Sequence, residues 1–423
     1  MASLELEREA AEPAVHRAVA AVFEALEQAG IDWCLLRGEA ELASPTELDL
    51  LVSPKHRSIR DVLAPLGFAA VPAWGRGSHR FLVGYDETDG RWIKLDFVSE
   101  LSFGRSQELQ TRAAAGCLAR RRRAGPLQVL APDDAFWSLL LHCLLDKKAV
   151  PSHHGERLQE LAERAHDDGA LAQTVYAVCP PGWDAARALA CVRQGDWPSL
   201  AAVAPRMRAL WARRRPLEVS RRIVVSGVLR RMTKLLTVLH RRGPRVALLG
   251  PDGAGKSTLT AGLVETFFFP VRTLYAGLYP TGAKPPRVKL PGLGLAGRLL
   301  RLRGASVVAR YHQARGRLVI FDRYPYDALL APLSTLGLAG RLRRRLLVRA
   351  AARPDLVVVL DVPAEVSHRR KGEHSLEFLA EQRRRYLELA ERIPQADVVD
   401  ATLGADEVRR AVTSRVWRLY ADR

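Results

Sequence analysis

The chain has 423 residues, 48% hydrophobic and 26% charged, and its 65 Lys and Arg against 46 Asp and Glu leave a formal charge of +19. That length predicts two or three domains of roughly 100–200 residues, and the composition excludes a disordered or fibrous chain. No run of about 18 apolar residues occurs, which argues against a helical membrane span, and the acidic opening MASLELEREAAEP lacks the apolar centre of a secretory leader.

The five cysteines, Cys34, Cys117, Cys143, Cys179 and Cys191, form no CxxC pair. Neither a disulfide framework nor a zinc site is expected, and a reducing, cytoplasmic compartment is implied. A basic surplus attracts anionic partners in general. Here the arginines are spread along the chain, so no requirement for nucleic acid is read from them.

Residues 1–205 read as mixed α/β followed by helices. VHRAVAAVFEALEQAG (15–30) carries apolar residues at helical spacing and stops at Gly30. IDWCLLRG and ELDLLVS read as short buried strands, and SHRFLVGY and RWIKLDFV flank ETDG as a hairpin. From Pro132 the stretch DDAFWSLLLHCLLDKK is helical. His142, on its apolar side, is expected in the core, and His153-His154 is a loop pair without zinc spacing.

Residues i and i+2 of a strand share a face, so Glu47 and Asp49 present two carboxylates together. Asp96 on the hairpin adds a third, a set of the kind that binds the metals clamping a nucleoside triphosphate. Leu35-Leu36-Arg37-Gly38, Glu47-Leu48-Asp49-Leu50-Leu51-Val52, Lys94-Leu95-Asp96 and the helical stretch together resemble bacterial members of the nucleotidyltransferase superfold, over about residues 20–165. The resemblance implies an α+β domain with a helical extension and metal ligands at Glu47, Asp49 and Asp96. It departs where Glu47 stands for the usual Asp, and Arg37-Gly38 for the usual Gly-Ser turn.

Residues 206–242, RMRALWARRRPLEVSRRIVVSGVLRRMTKLLTVLHRR, predict a basic amphipathic linker helix. Such a helix either makes a peripheral contact with a membrane surface or with nucleic acid, or packs its apolar stripe on a domain and solvates its arginines. The second is the commoner arrangement in globular proteins.

Residues 243–423 alternate apolar runs, RVALLG, RLVIFD, DLVVVLDV and ADVVDA, with helical patterns. That alternation predicts an α/β domain whose parallel sheet is covered by helices on both faces. Gly250-Pro251-Asp252-Gly253-Ala254-Gly255-Lys256-Ser257 fits GxxxxGK[ST], and Thr258 follows it; the motif leaves a strand and opens the helix STLTAGLVETFF. Glycines let successive N–H groups turn inward on phosphate oxygens, and the helix start adds a positive dipole end. Lys256 is expected to reach the β- and γ-phosphates of ATP, and Ser257 to ligate Mg²⁺. Asp322 ends the next strand, where a metal-water ligand belongs, and Arg323 can hold an acceptor phosphate through its fork. His368-Arg369-Arg370-Lys371-Gly372-Glu373 offers a basic segment able to neutralise charge on a transferred phosphoryl group.

GPDGAGKST, DRY, PDLVVVLDVP and RRKGE, in that order, resemble thymidylate kinase over nearly all of 243–423. The resemblance implies a kinase that uses ATP and Mg²⁺ on a small nucleotide acceptor, often as a homodimer. Asp252 would then lie near the acceptor sugar, Arg369 or Arg370 would assist transfer, and the loop after VVDA would lie near adenine. The chain departs after the first helix, where VRTLYAGLYP stands in place of the family's Arg-Glu-Pro-Gly stretch, so Arg272, Tyr275 and Tyr279 either line a different acceptor pocket or are strand and loop residues. Two other readings stand beside phosphoryl transfer: nucleotidyl transfer by the N-terminal carboxylates, or an ATP-responsive regulatory protein, for instance in surface polysaccharide assembly.

Overall fold

The helical spacing after residue 15 folds as helix α1 (Arg17–Gln28), whose Val19, Val22, Phe23 and Leu26 are buried. Gly30, at φ +64°, lets the chain turn out of it. The computed structural model describes residues 14–38, 41–53, 59–147, 149–166, 169–236, 242–277, 293–330 and 337–423. The chain divides into two compact units, Met1–Asp86 with Arg91–Thr233, and Glu87–Gly90 with Lys234–Arg423.

The first unit holds strands β1 (Trp33–Arg37), β2 (Glu47–Val52), β3 (Ala69–Val71), β4 (His79–Asp86), β5 (Arg91–Val98), β6 (Ser102–Phe103), β7 (Leu109–Gln110), β8 (Arg122–Ala124) and β9 (Leu127–Val129). Seven of them make a mixed sheet in the order β3-β4-β5-β2-β1-β9-β8, and β6 pairs with β7. The expected hairpin is β4–β5, antiparallel from His79–Val98 to Asp86–Arg91. β2 runs parallel to β5 and sets Asp49 opposite Asp96. Period-two burial splits the sheet's faces. Leu48, Leu50, Ile93, Leu95 and Phe97 pack under α1, whereas Cys34, Leu51 and Val98 join the core of the helical half. Glu47, Asp49 and Asp96 alternate with the first set, so they lie on the face turned to the helices.

Short helices α2 (Ile59–Leu63) and α3 (Ala114–Ala119) precede the helical half. That half comprises α4 (Pro132–Leu141), a π-helical turn (His142–Lys147), α5 (Ser152–Arg164), α6 (Ala170–Val178), α7 (Ala185–Gln194), α8 (Trp197–Arg214) and α9 (Pro216–Leu236). Asp184 and Asp196 cap α7 and α8 by accepting from Arg187 N and Ser199 N. The stretch expected as a linker is divided between α8 and α9, and 237–241 lie outside the described residues. Met207, Trp211 and Val219 belong to the first unit's core, while Ile223, Val224 and Val228 are exposed.

His142 is not the core residue its apolar neighbours suggested. It is half-buried, and its Nδ1 lies 2.8 Å from Asp146 Oδ2. His153 and His154 belong to the first turn of α5 and not to a loop. The cysteines are free, and four are buried. Burial pushes the Cys143 thiol up to about 11, which leaves it protonated and inert at neutral pH.

The second unit contains β10 (Arg245–Leu249), α10 (Lys256–Thr266), β11 (Val271–Tyr275), α11 (Leu293–Ala314), β12 (Leu318–Asp322), α12 (Leu338–Ala350), β13 (Leu356–Asp361), α13 (Ala364–Lys371), α14 (Leu376–Glu391), β14 (Ala396–Asp400) and α15 (Ala405–Ala421). Its sheet is five-stranded and all parallel, in the order β11-β12-β10-β13-β14. Ala247, Leu249, Val319, Phe321, Val357 and Val359 face α11, α12 and α14 in one core, and α10 and α15 pack together over the strands from the other side. The winding reverses at β10, so the carboxyl ends of β10, β12 and β13 border a crevice, which is where doubly wound sheets bind ligands. No described helix is long and apolar enough to cross a membrane.

Candidate functional site

The phosphate loop leaves β10 and enters α10. Gly250, Gly253 and Gly255 take φ of 144°, 86° and 90°, values that L side chains rarely adopt. At Gly253 a Cβ would lie 2.7 Å from Ser367 O, so α13 packs directly on the loop backbone. Lys256 Nζ donates to Gly250 O at 2.7 Å and Pro251 O at 2.8 Å. Burial pushes its ammonium below the usual 10.5, with Asp252 opposing and Arg323 reinforcing the fall. Ser257 and Thr258 are exposed in the first turn of α10. Asp322, half-buried at the end of β12, pairs in register with Leu248 of β10. Among the described residues its carboxylate makes no ion pair, and the Asp322 carboxylate and the Ser257 hydroxyl are each oxygen donors of the kind Mg²⁺ takes.

Two pockets flank the loop. The first is lined by Leu248, Leu249, Gly250, Asp252, Lys256, Arg323, Asp327, Gln382 and Tyr386. Arg323 stands there at φ +59°, in the left-handed region where a non-glycine residue is strained. Its Nη2 donates to Asp252 Oδ1 at 3.4 Å, and His374 Nε2 approaches Asp252 Oδ2 at 3.5 Å. Asp327 comes from the 3₁₀ turn Pro325–Leu329, and its Oδ1 accepts from Tyr386 Oη at 3.1 Å. Gln382 Oε1 is buried without a hydrogen-bond partner.

The second pocket is lined by Ala254, Gly255, Thr258, Leu259, Arg370, Ala401, Leu403, Ala405 and Val408, and Arg370 Nη1 donates to Ala401 O at 3.1 Å. The basic segment thus divides its work. Arg370 reaches the loop after β14, Lys371 pairs with Glu373 at 2.9 Å, and Arg369 is exposed on α13.

The structure therefore brings Asp252, Lys256 and Arg323 into one pocket, and Ala254, Gly255, Thr258 and Arg370 into the other. Ser257, Asp322, Arg272 and Tyr275 line neither, and Tyr279 lies outside the described residues. Asp327, Gln382 and Tyr386 were missed by the sequence reading. Their one signal was spacing: Gln382 and Tyr386 stand four residues apart, which puts them on one face of a helix.

In the first unit, oxygens of Glu47, Asp49 and Asp96 lie within 4.8 Å of one another. Each also has a basic side chain of the chain against it. Lys94 is 2.6 Å from Glu47, Arg37 2.6 Å from Asp49, and His79 2.8 Å from Asp96. The register break in β1 between Leu35 and Arg37 is what sets Arg37 against Asp49. For His79, burial lowers the pKa, but Asp96 outweighs it and the imidazole is raised above 6.5. An all-carboxylate set fits a hard divalent ion, and here Arg37 and Lys94 already set positive charge against Asp49 and Glu47.

No protein-family model matches the chain. It is similar to a probable thymidylate kinase of Archaeoglobus fulgidus, 29% identical over 193 residues, covering 40% of this chain and 91% of that protein. Probable thymidylate kinases of Thermococcus onnurineus and Thermococcus gammatolerans are 33% and 34% identical over 110 residues, and the chain spans about half their length, 52% and 51%. A solved thymidylate kinase structure from Candida albicans is 21% identical with a TM-score of 0.31, covering 42% of this chain and 90% of that one. The chain thus has distant thymidylate kinase homology over about 40% of its length, while the N-terminal unit has no assigned relative.

Proposed function

We propose that the second unit transfers the γ-phosphoryl group of Mg·ATP to a small acceptor, a nucleoside monophosphate or a related compound. The observation that carries this reading is a pair of pockets lined from one phosphate loop, with Gly250, Asp252 and Lys256 bordering the first and Ala254, Gly255 and Thr258 the second. Arg370 and the loop after β14 border the pocket suited to the adenosine end, and Asp252, Arg323 and Asp327 border the acceptor end. Between them the loop N–H groups and the dipole of α10 hold the triphosphate, and Lys256 exchanges its loop carbonyls for β- and γ-oxygens. Mg²⁺ at Ser257 and Asp322 would supply neutralising charge on those oxygens. Arg323 orients the acceptor, and Arg369 and Arg370 offset charge developing on the transferred group.

Acceptor-dependent ADP release by the purified full chain, with Lys256→Ala as control, tests this. Charge-assisted contacts are worth about 1.5–3 kcal/mol each, so Lys256→Ala should weaken Mg·ATP binding by roughly 10-fold or more. Binding of Mg·ATP that ignores this substitution would sink the reading.

The convergence of Glu47, Asp49 and Asp96 favours a second reading, metal-dependent nucleotidyl transfer by the first unit. The Arg37, Lys94 and His79 pairings weigh against it, since an incoming ion has to displace or repel them. Pyrophosphate release from ATP that is abolished in Asp49→Ala and retained in Lys256→Ala would transfer the activity to this unit.

A further inference from the structure

We infer that the first unit holds a ligand site of its own, independent of the kinase reading. It is a cleft between the loop after β3 and helix α9, and it takes a soluble phosphate ester of about nucleotide size.

The cleft has a volume of about 550 Å³, and small-molecule sites span roughly 300–1,000 Å³. Residues 73–78 supply one wall, α9 supplies the other, and Gln110 of β7 also lines it. The two walls are built against each other. Gly75 is buried at φ +69°, and a Cβ there would lie 2.7 Å from Ser226 O, so the loop rests on the helix backbone. From α9, Arg230 Nε donates to Gly75 O and Ser226 Oγ donates to Ser106 O, each at 3.1 Å.

Charge decides what fits between the walls. Arg76, Arg221 and Arg222 line the cleft, and no carboxylate does. Arg222 is held in place, by Glu218 at 3.4 Å and by Gln110 Oε1, to which it donates. Glu218 also meets Arg112 at 3.0 Å and Arg215 at 3.9 Å, so one carboxylate answers three guanidinium groups. Arg76 and Arg221 are exposed and make no ion pair among the described residues. Behind the loop, burial holds the Arg230 guanidinium below its ordinary value; Arg76 and Arg105 add to the fall, and Glu108 opposes it. Like charges gathered this way repel, and a bound anion relieves them. An arginine fork takes two oxygens of one anion, so two uncommitted forks suit a phosphate, with its several oxygens, better than a single carboxylate. Trp74, Val225 and Leu229 add apolar surface beside the arginines. The ligand therefore carries an apolar or planar body as well as its phosphate. Glu47, Asp49 and Asp96 and their basic partners are not among the lining residues, so the cleft is separate from that carboxylate set.

Hydrogen exchange of the full chain, read by mass spectrometry, tests this. Exchange is compared without ligand and with inorganic phosphate, pyrophosphate, glucose 1-phosphate, glycerol 3-phosphate, AMP or ATP at millimolar concentration, and binding is titrated by calorimetry. At least one ester is expected to protect segments 73–78 and 221–229 and to bind more tightly than phosphate or pyrophosphate. Replacing Arg76 and Arg221 together by Ala should weaken that binding by about 10²-fold or more. Replacing Arg213 and Arg214, exposed on α8, removes the same charge elsewhere and should leave it unchanged, as should Lys256→Ala. Protection confined to 250–258, equal loss in both double variants, or no ester protecting the cleft overturns the inference. So does protection by phosphatidylglycerol vesicles or a single-stranded oligonucleotide alone, which would make the surface one for lipid or nucleic acid. The exchange map of the parent protein locates the ligand even if the Arg76 and Arg221 double variant does not fold.

Discussion

Arg323 makes opposite demands through its backbone and its side chain, and two substitutions separate them. Its φ of +59° places an L-residue in the left-handed region, at a cost of about 1–2 kcal/mol. Its side chain is 50% exposed and donates to Asp252 at 3.4 Å, a contact of the surface class worth ~0–1 kcal/mol. Arg323→Ala and Arg323→Gly both delete the guanidinium and differ only in the Cβ. At an ordinary position glycine is less stable than alanine by about 0.5–1 kcal/mol. Here release of the strain reverses the sign and leaves the glycine variant more stable by about 0.5–1 kcal/mol. For a unit of this size that is a rise of about 1–4 °C. Thermal unfolding of both full-length variants, followed by circular dichroism, measures the difference. Both variants are also expected to lose acceptor-dependent turnover while retaining Mg·ATP binding. A glycine variant that melts below the alanine variant would refute the strain argument. An alanine variant with full turnover would refute the idea that the strain is kept to hold the guanidinium at the acceptor.

Two other outcomes follow from the same geometry. Gly253→Ala places a Cβ 2.7 Å from Ser367 O and 3.2 Å from Ser367 Cα; neither is a flexible end, so the loop and α13 must part, and Mg·ATP affinity should fall about tenfold or more. Titration with a fluorescent ATP analogue checks it, and unchanged affinity would mean that α13 does not fix the loop. Asp355 bonds Arg245 through its backbone N–H and guanidinium, and, although burial opposes it, those contacts hold the carboxyl below 3.8. A depressed carboxyl stabilises above its unfolded value and loses that stability as pH falls through its folded one. Asp355→Asn should therefore cost about 1–3 kcal/mol at pH 7, with the gap closing only below pH 3.8; urea unfolding along a descending pH series measures both.

The phosphate loop was legible in the sequence because its chemistry is local. Eight consecutive residues set the turn, the lysine and the helix start, and the strand before and helix after them follow from short-range periodicity. The same local logic placed Glu47 and Asp49 on one face of β2 and made a hairpin of β4 and β5. What lay beyond it were contacts fixed by register and packing. Asp96 meets Asp49 only because β2 and β5 pair in parallel at that register, and Arg37 reaches Asp49 only through the irregularity in β1. His142, read as core from its apolar neighbours, is instead half-buried against Asp146, four residues on along the same helix face. The acceptor pocket is the clearest case. Asp327 stands 71 residues after Lys256 and 59 before Tyr386, and nothing in either stretch announces that 3₁₀ turn and helix α14 will close over the phosphate loop. Sequence by itself determined the elements and the phosphate chemistry, since both are written in neighbouring residues. Tertiary structure alone decided which distant side chains share the site and which charges are already neutralised, since both depend on strands and helices brought together from across the chain.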